Sequence, residues 1–246
     1  MMGRHDHSHS GAVGRLSIGP SEGDGLVSQT LEFVRRQLPR WRDDPKRPHG
    51  DAEKSLNSSL VDFLDSRSRS LLPMARFKHE SPQSARRTVD IGVHVLEDSL
   101  IGVRTYAIYE PFYVIEAKRL PAPKGKDRET EYVSGFDPKS RAATGGIQRF
   151  KLGVHGNRVV AAAIVGFIQQ DSPEVWHARI NEWISKLTEC DAGDGCCWSK
   201  FDLLQKLLVS KEDEMANCGS THQRTKNAAG STISLQHLWI VMNHSQ

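Results

Sequence analysis

The sequence predicts an α/β fold built around a mixed sheet, and three observations carry that prediction. Residues 88–96 and 112–120 alternate apolar and polar side chains as half-buried strands do. Residues 159–169 form a nearly charge-free run rich in Val, Ala and Ile, the pattern of a strand covered on both faces. Stripes of apolar residues at helical spacing occur before and after these strands, at 51–66 and 173–188. Strands interleaved with helices place the helices against the faces of one sheet.

Composition bounds the class. The chain has 246 residues, 37% hydrophobic and 26% charged, which excludes collagen-like and wholly disordered chains. Its longest apolar stretch, 159–168, is shorter than the roughly 18 residues of a membrane span, so no membrane partner is expected. The N-terminus is polar and lacks the apolar core of a secretory signal. Four cysteines are too few for a disulfide scaffold, and together these features predict a reducing, cytoplasmic setting.

In chain order, residues 1–25 read as a flexible arm of Gly, Ser and His, in which His5, His7 and His9 alternate as an adventitious metal-binding tail. Leu26 to Leu38 reads as a short helix stopped by Pro39, followed by a linker to about residue 50. The main domain is expected over 51–246, with its motifs in 51–169 and an elaboration in 170–246. Its first helix, 51–66, is capped by Asp51 and carries Leu56, Leu60, Phe63 and Leu64 on one stripe, with Glu53 and Asn57 on a neighbouring face. Strands are expected at 74–80, 88–96 and 112–120, with a turn and hairpin over 97–110. A helix over 137–154, the strand 159–169 and the helix 173–188 follow. The tail reads as a helix over 198–209, a loose polar segment over 211–229 and a final strand over 232–242. There is no internal repeat.

Two acids lie on neighbouring expected strands, Asp90 in Thr-Val-Asp-Ile-Gly-Val and Glu116 in Tyr-Val-Ile-Glu-Ala-Lys-Arg. Strand alternation places Lys118 on the face of Glu116, and Asp90 on the face opposite Val89, Ile91 and Val93. Convergent carboxylates suit Mg²⁺, with Mn²⁺ as a substitute, because a hard cation takes oxygen ligands and keeps its waters. A lysine beside such an ion can orient water or stabilise charge on a phosphate. An acid two residues before a lysine also occurs at Asp44-Pro45-Lys46 and Asp137-Pro138-Lys139, where proline disfavours a central strand. The alternative for Glu116 and Lys118 is a cross-strand salt bridge on a solvated face. Residues 118–151 hold nine basic side chains against four acidic ones, which places positive charge beside this motif.

The order and residues resemble the PD-(D/E)xK nucleases, the restriction-endonuclease-like superfamily, over roughly 51–169. The matching residues are Glu53 on the first helix, Val-Asp90-Ile-Gly, Ile-Glu116-Ala-Lys118 and Gly-Gly-Ile-Gln148-Arg149-Phe on the later helix. The resemblance implies a core of helix, three strands, helix and strand. It also implies Mg²⁺ on Asp90 and Glu116 with Glu53 completing the site, catalysis by Lys118, and placement of phosphate or water by Gln148. Val89 stands where the family motif has proline. Arg119, Arg149 and Lys151 are the expected nucleic-acid contacts, through phosphates.

The expected activity is therefore metal-dependent cleavage of DNA, with RNA as a second substrate class. The chain is similar to small nucleases of prokaryotic defence and restriction systems. That resemblance implies an ATPase, helicase or sensor subunit as partner, or a homodimer. The alternative is a non-catalytic nucleic-acid-binding or assembly module on the same fold. A nucleotide-binding phosphotransferase lacks its glycine-rich phosphate loop. Cys190, Cys196, Cys197, Cys218 and His222 match no common zinc spacing. His94 reads as a structural histidine, and Trp176 and Trp183 read as core.

Overall fold

In the computed structural model, the residues described are 20–48, 52–84, 87–122, 126–137, 142–189, 193–224, 228 and 230–242. A seven-stranded mixed sheet runs β1-β2-β5-β8-β11-β10-β9. Strands β1 (Ala75–Ser84), β2 (Arg87–Val95) and β5 (Pro111–Leu120) form an antiparallel meander. A small hairpin of β3 (Ser99–Ile101) and β4 (Arg104–Tyr106) is inserted before β5. Strands β8 (Ala161–Ile168) and β11 (Thr232–Val241) continue the sheet parallel to β5, and β10 (Met215–Gln223) and β9 (Leu208–Ser210) close it antiparallel. A two-residue ladder pairs β6 (Phe136–Asp137) with β7 (Ala142–Ala143). Among the described residues, no helix is long and apolar enough to cross a membrane.

Alternation sorts the two faces. Val89, Ile91 and Val93 of β2 are fully buried, with Phe77 and Ile115 as cross-strand neighbours. Helices α1 (Pro20–Arg42) and α2 (Glu53–Leu71) pack on this side, where Phe33 meets Phe77 and Trp41 meets Phe167 at ring separations of 5.6 and 5.5 Å. The opposite face carries Asp90, Glu116, Lys118, Gly166 and Trp239. A Cβ on Gly166 would lie 2.5 Å from the Trp239 indole, so glycine there lets the ring lie flat on β8. A 3-10 segment (Lys126–Tyr132), α3 (Gly146–Lys151) and α4 (Pro173–Glu189) belong to this side, and Tyr132 donates to or accepts from His237 at 2.7 Å.

Four expectations change. The first helix begins at Pro20 and passes through Pro39 to Arg42. An internal proline costs about 3 kcal/mol, but Leu38 and Trp41 are both buried against the core and hold the helix together across it. The helix expected over 137–154 is only Gly146–Lys151, because Gly145 runs against residue 134: a Cβ there would sit 2.4 Å from Ser134 Cα. The helix expected over 198–209 is a single 3-10 turn, Lys200–Asp202, followed by β9. The segment expected to be loose contains the nine-residue strand β10. Asp51, the expected cap of α2, lies outside the described residues, and α2 starts at Glu53 after Ala52.

The last two changes share a cause, a buried polar chain that hydropathy does not reveal. Lys151 Nζ lies 2.6 Å from Asp202 Oδ1, which also meets His222 Nδ1 at 2.7 Å. His222 Nε2 meets Ser220 Oγ at 2.7 Å, Ser220 Oγ meets His237 Nε2 at 2.8 Å, and His237 reaches Tyr132. Trp239 Nε1 donates to the same Tyr132 hydroxyl at 2.9 Å. Every member of the chain is buried. Satisfied networks of this kind fix one arrangement of the elements they join. Here they tie α3, the 3-10 turn, β10 and β11 together.

Removing one partner of a buried ion pair costs about 3–5 kcal/mol. Urea denaturation should therefore find Lys151→Met about 3 kcal/mol less stable than the parent, while Lys206→Met, at an exposed position, stays within about 0.5 kcal/mol.

Candidate active site

The site forms where β2 and β5 run side by side. Ile91 pairs with Ile115 and Gly92 with Val114, so the register sets Asp90 opposite Glu116 on the face away from the main apolar layer. The Ala117 N–H donates to Asp90 Oδ2 at 2.8 Å, which locks the Asp90 carboxylate against β5. Lys118, one alternation along, brings Nζ to 3.0 Å from Glu116 Oε1. The parallel strand β8 covers Glu116 on its other side, and its side chain is only 2% exposed.

Three further groups converge on this centre. Arg149 of α3 donates from Nη1 to Glu116 Oε1 at 2.9 Å and from Nε to the Ala143 carbonyl at 3.3 Å. His155 Nδ1 lies 3.0 Å from Glu116 Oε2, a contact that becomes an ion pair only when the imidazole is protonated, and neither buried atom meets the geometry of a hydrogen bond. Glu53, at the first turn of α2, reaches the site from the other side of β5: Oε2 accepts the Arg119 N–H at 3.3 Å, and Oε1 lies 4.0 Å from Lys118 Nζ.

The electrostatics separate the two central acids. Burial and the neighbouring charge of Glu116 push Asp90 up to about 7, against a smaller opposing pull from Lys118. Burial also works to raise Glu116, but Lys118, His155 and Arg149 overcome it and hold that carboxyl below the usual carboxylate range. Burial would lower Lys118, and Glu116, Glu53 and Asp90 reverse the shift, so its ammonium stays charged. Near neutrality the centre thus pairs a firmly ionised Glu116 with an Asp90 balanced between its two forms.

Not every expected residue arrives here. Gln148 turns away: its Oε1 accepts the Gly135 and Gly145 N–H groups at 3.1 and 3.2 Å, and its Nε2 donates to Asp194 at 3.1 Å. It lines a separate cavity of about 440 Å³ with Ser134, Trp183, Leu187 and Asp194. On α3 it is Arg149, one residue on, that meets Glu116. Lys151 is corrected outright as a phosphate contact, because it is 1% exposed and committed to Asp202. Arg119 alternates to the other face of β5 from Lys118, and its guanidinium Nε donates to Gln169 Oε1 at 2.7 Å. His94 is buried beside Ser81 Oγ at 3.1 Å, and burial, Lys78 and Arg76 push it down to about 4. His222 is engaged by Asp202 and Ser220, and Cys190 lies outside the described residues. Trp176 is fully buried, and Trp183 packs partly buried beside it.

The sequence gives no sign of His155, which sits in an irregular segment after α3, where no periodicity reports which way a side chain points. Choosing between Gln148 and Arg149 needs the rotation of a six-residue helix to within one position.

The donor set fits a hard divalent cation. Two carboxylates face one another from adjacent strands, and Glu116 Oε2 is a buried acceptor with no hydrogen-bond donor. Among the described residues, no three His, Cys, Asp or Glu side chains gather closely enough to hold a metal ion. The fit is therefore to a pair of carboxylates completed by water and substrate oxygens, a set that suits Mg²⁺. Comparison with protein-family models, with curated proteins and with solved structures finds no match to the chain.

An acid whose folded pKa is raised binds its proton more tightly in the folded state. Its contribution is complete below the unfolded value of 3.8 and is lost as pH rises through about 7. In EDTA, Asp90→Asn should remove that loss. Its stability relative to the parent should climb between pH 4 and 7 by on the order of 1.4 kcal/mol per pH unit at most, read by urea denaturation.

Proposed function

We propose that the chain is a divalent-metal-dependent nuclease, a phosphodiesterase acting on DNA or RNA. The observation that carries this reading is the facing pair of half-buried Asp90 and buried Glu116 on adjacent strands, with the Lys118 ammonium 3.0 Å from Glu116. The order α2, β1, β2, β5, α3, β8 supports it, since it runs helix, three strands, helix, strand, with the β3–β4 hairpin inserted before β5 and a 3-10 segment and the β6–β7 ladder inserted before α3. That order and the positions of Asp90, Glu116 and Lys118 agree with what the resemblance to the PD-(D/E)xK nucleases implies.

On this reading Asp90 and Glu116 would hold Mg²⁺. The bound ion supplies an acidified water and neutralises charge that develops on the phosphate. The protein's own groups do the rest. Lys118 is fixed between Glu116 and Glu53, so it presents N–H donors to water or to a phosphate oxygen without reorganising. Glu53 acts as a positioning residue, holding Lys118 and the Arg119 backbone from α2. Arg149 balances Glu116 from α3 and offers a guanidinium at the site for an incoming phosphate. Because Asp90 ionises near 7, its ligand form grows as pH rises through that value.

One observation favours a second reading. Glu116 is already balanced by Lys118 and Arg149, as in a non-catalytic nucleic-acid-binding module that takes no metal. Plasmid, linear duplex, single-stranded DNA and RNA should be incubated with Mg²⁺, Mn²⁺ or EDTA to separate the two. Cleavage that needs metal and falls at least 100-fold in Asp90→Asn, Glu116→Gln and Lys118→Ala supports the nuclease. Binding without cleavage under every condition supports the module. A second expectation concerns the metal alone: Mn²⁺ binding, read by titration calorimetry, should be lost in Glu116→Gln and kept in Lys118→Ala.

A further inference from the structure

One pair of cations near the site has no part in the arrangement above. Arg76 and Lys78 lie on β1, paired with His94 and Gly92 of β2, and that register places both on the face of Asp90. Arg76 is exposed and Lys78 half-buried. Among the described residues, neither forms an ion pair or a side-chain hydrogen bond. Among the described residues, the other cations close to the site are engaged: Lys118 and Arg149 with Glu116, Arg119 with Gln169, Arg128 with Glu131, and Lys151 with Asp202. The acids flanking this strand are also turned elsewhere. Glu80, left-handed at φ 47°, pairs with Lys54 of α2 at 3.6 Å, and Asp65 accepts the Phe77 N–H at 3.0 Å and meets Arg69.

Two like charges side by side without a counterion are costly to keep, and the cost shows in their surroundings. Burial and then Arg76 lower the Lys78 ammonium, and the same two cations help to keep His94 neutral. An anion laid along β1 would relieve both. Residues two apart on a strand are about 7 Å apart, and neighbouring strands about 4.8 Å. Lys78 therefore stands roughly 8 Å from Asp90 across the sheet, and Arg76 roughly 14 Å, measured along the backbone grid. The two cations continue outward from the carboxylate pair in a line rather than forming a ring around it.

The geometry points to Arg76 and Lys78 as a phosphate track, on which the sugar-phosphate backbone of a nucleic-acid strand lies on one side of the bond held at Asp90 and Glu116. This inference rests on the nuclease reading and names the substrate's path across it. The centre's own side chains are close to charge balance, with Lys118 and Arg149 set against its carboxylates, so apart from a bound divalent ion they offer a polyanion little net attraction. Arg76 and Lys78 supply that attraction beyond the centre. Such contacts position a strand without reading its bases. The track therefore serves substrates of any sequence.

The test is fluorescence anisotropy of a labelled 30-base-pair duplex and a matching single strand. It is run in Ca²⁺ in place of Mg²⁺, from 50 to 300 mM KCl, with the parent, Arg76→Gln, Lys78→Gln and the double variant. Each removed phosphate contact makes the slope of log affinity against log salt shallower by about 0.9 on duplex and about 0.7 on single strand. The double variant should lose twice that, with unchanged thermal midpoints and unchanged Mn²⁺ binding. Exposed Lys206→Gln serves as a control for mere loss of charge and should leave the slope unaltered. Salt-dependent binding whose slope is the same in the parent and in both single variants overturns the track and leaves the nuclease reading standing. A parent that binds neither nucleic acid overturns both.

Discussion

A single buried carboxylate, Glu116, organises one half of the molecule. It lies in the middle of β5, under 2% exposed, between two strands that would otherwise make an apolar sheet. A charge in that position is tolerable only when it is surrounded by partners, because isolated burial would drive it neutral. Lys118 comes from its own strand, Arg149 from α3 and His155 from the segment after it. The positions of α3 and of the following turn are therefore coupled to one oxygen pair. Asp90 is the counterweight: it shares the same low-dielectric space without comparable positive company and yields by moving to about 7. Two carboxylates of identical chemistry are thus held in different states by their neighbours, which is the asymmetry a site for acid–base or metal chemistry uses.

The other half of the molecule is organised by a second polar system with a different purpose. The chain from Lys151 through Asp202, His222, Ser220 and His237 to Tyr132 and Trp239 is closed at both ends and excluded from water. It includes a serine, a histidine and an aspartate in hydrogen-bonded order, yet Ser220 is 2% exposed and His222 fully buried, so no substrate reaches them. Its effect is architectural. It ties Ser220 and His222 of β10 to the rest of the molecule, beside the buried Met215, Ala216 and Cys218 by which the same strand joins the apolar core. The two systems meet on α3, where Arg149 serves Glu116 and Lys151 serves Asp202. Six residues of helix therefore link the candidate site to the C-terminal strands.

These two systems explain which parts of the chain were legible. The strands β2, β5 and β8 and the helix α4 could be read because their burial is apolar and periodic, as in Val89, Ile91 and Val93, or Trp176, Ile180 and Ile184. Glu116 and Lys118 could be read onto one face for the same reason, since alternation relates them, and Asp90 could be read onto the polar face of its own strand. Strand β10 and the turn Lys200–Asp202 could not, because buried Ser220, His222 and Asp202 are polar and look like surface, and they break the apolar alternation that Met215, Ala216 and Cys218 begin. Lys151 misled for that reason too: one lysine among nine basic residues has no local mark that its ammonium is inside.

From the sequence by itself came the α/β class, the main strands, the shared face of Glu116 and Lys118 and the polar face of Asp90, all of which follow from alternation and helical spacing along the chain. Tertiary structure decided the rest. It set Asp90 opposite Glu116 through the register of β2 on β5, chose Arg149 over Gln148 through the rotation of α3, and brought His155 to the carboxylate. It also left Arg76 and Lys78 on β1 without partners among the described residues while pairing other basic residues across the molecule. The physical reason is one of range. Periodicity along a chain reports which face a residue occupies, whereas the charge state of a buried group depends on neighbours 30 or more positions away, which only the folded chain brings within 3 Å.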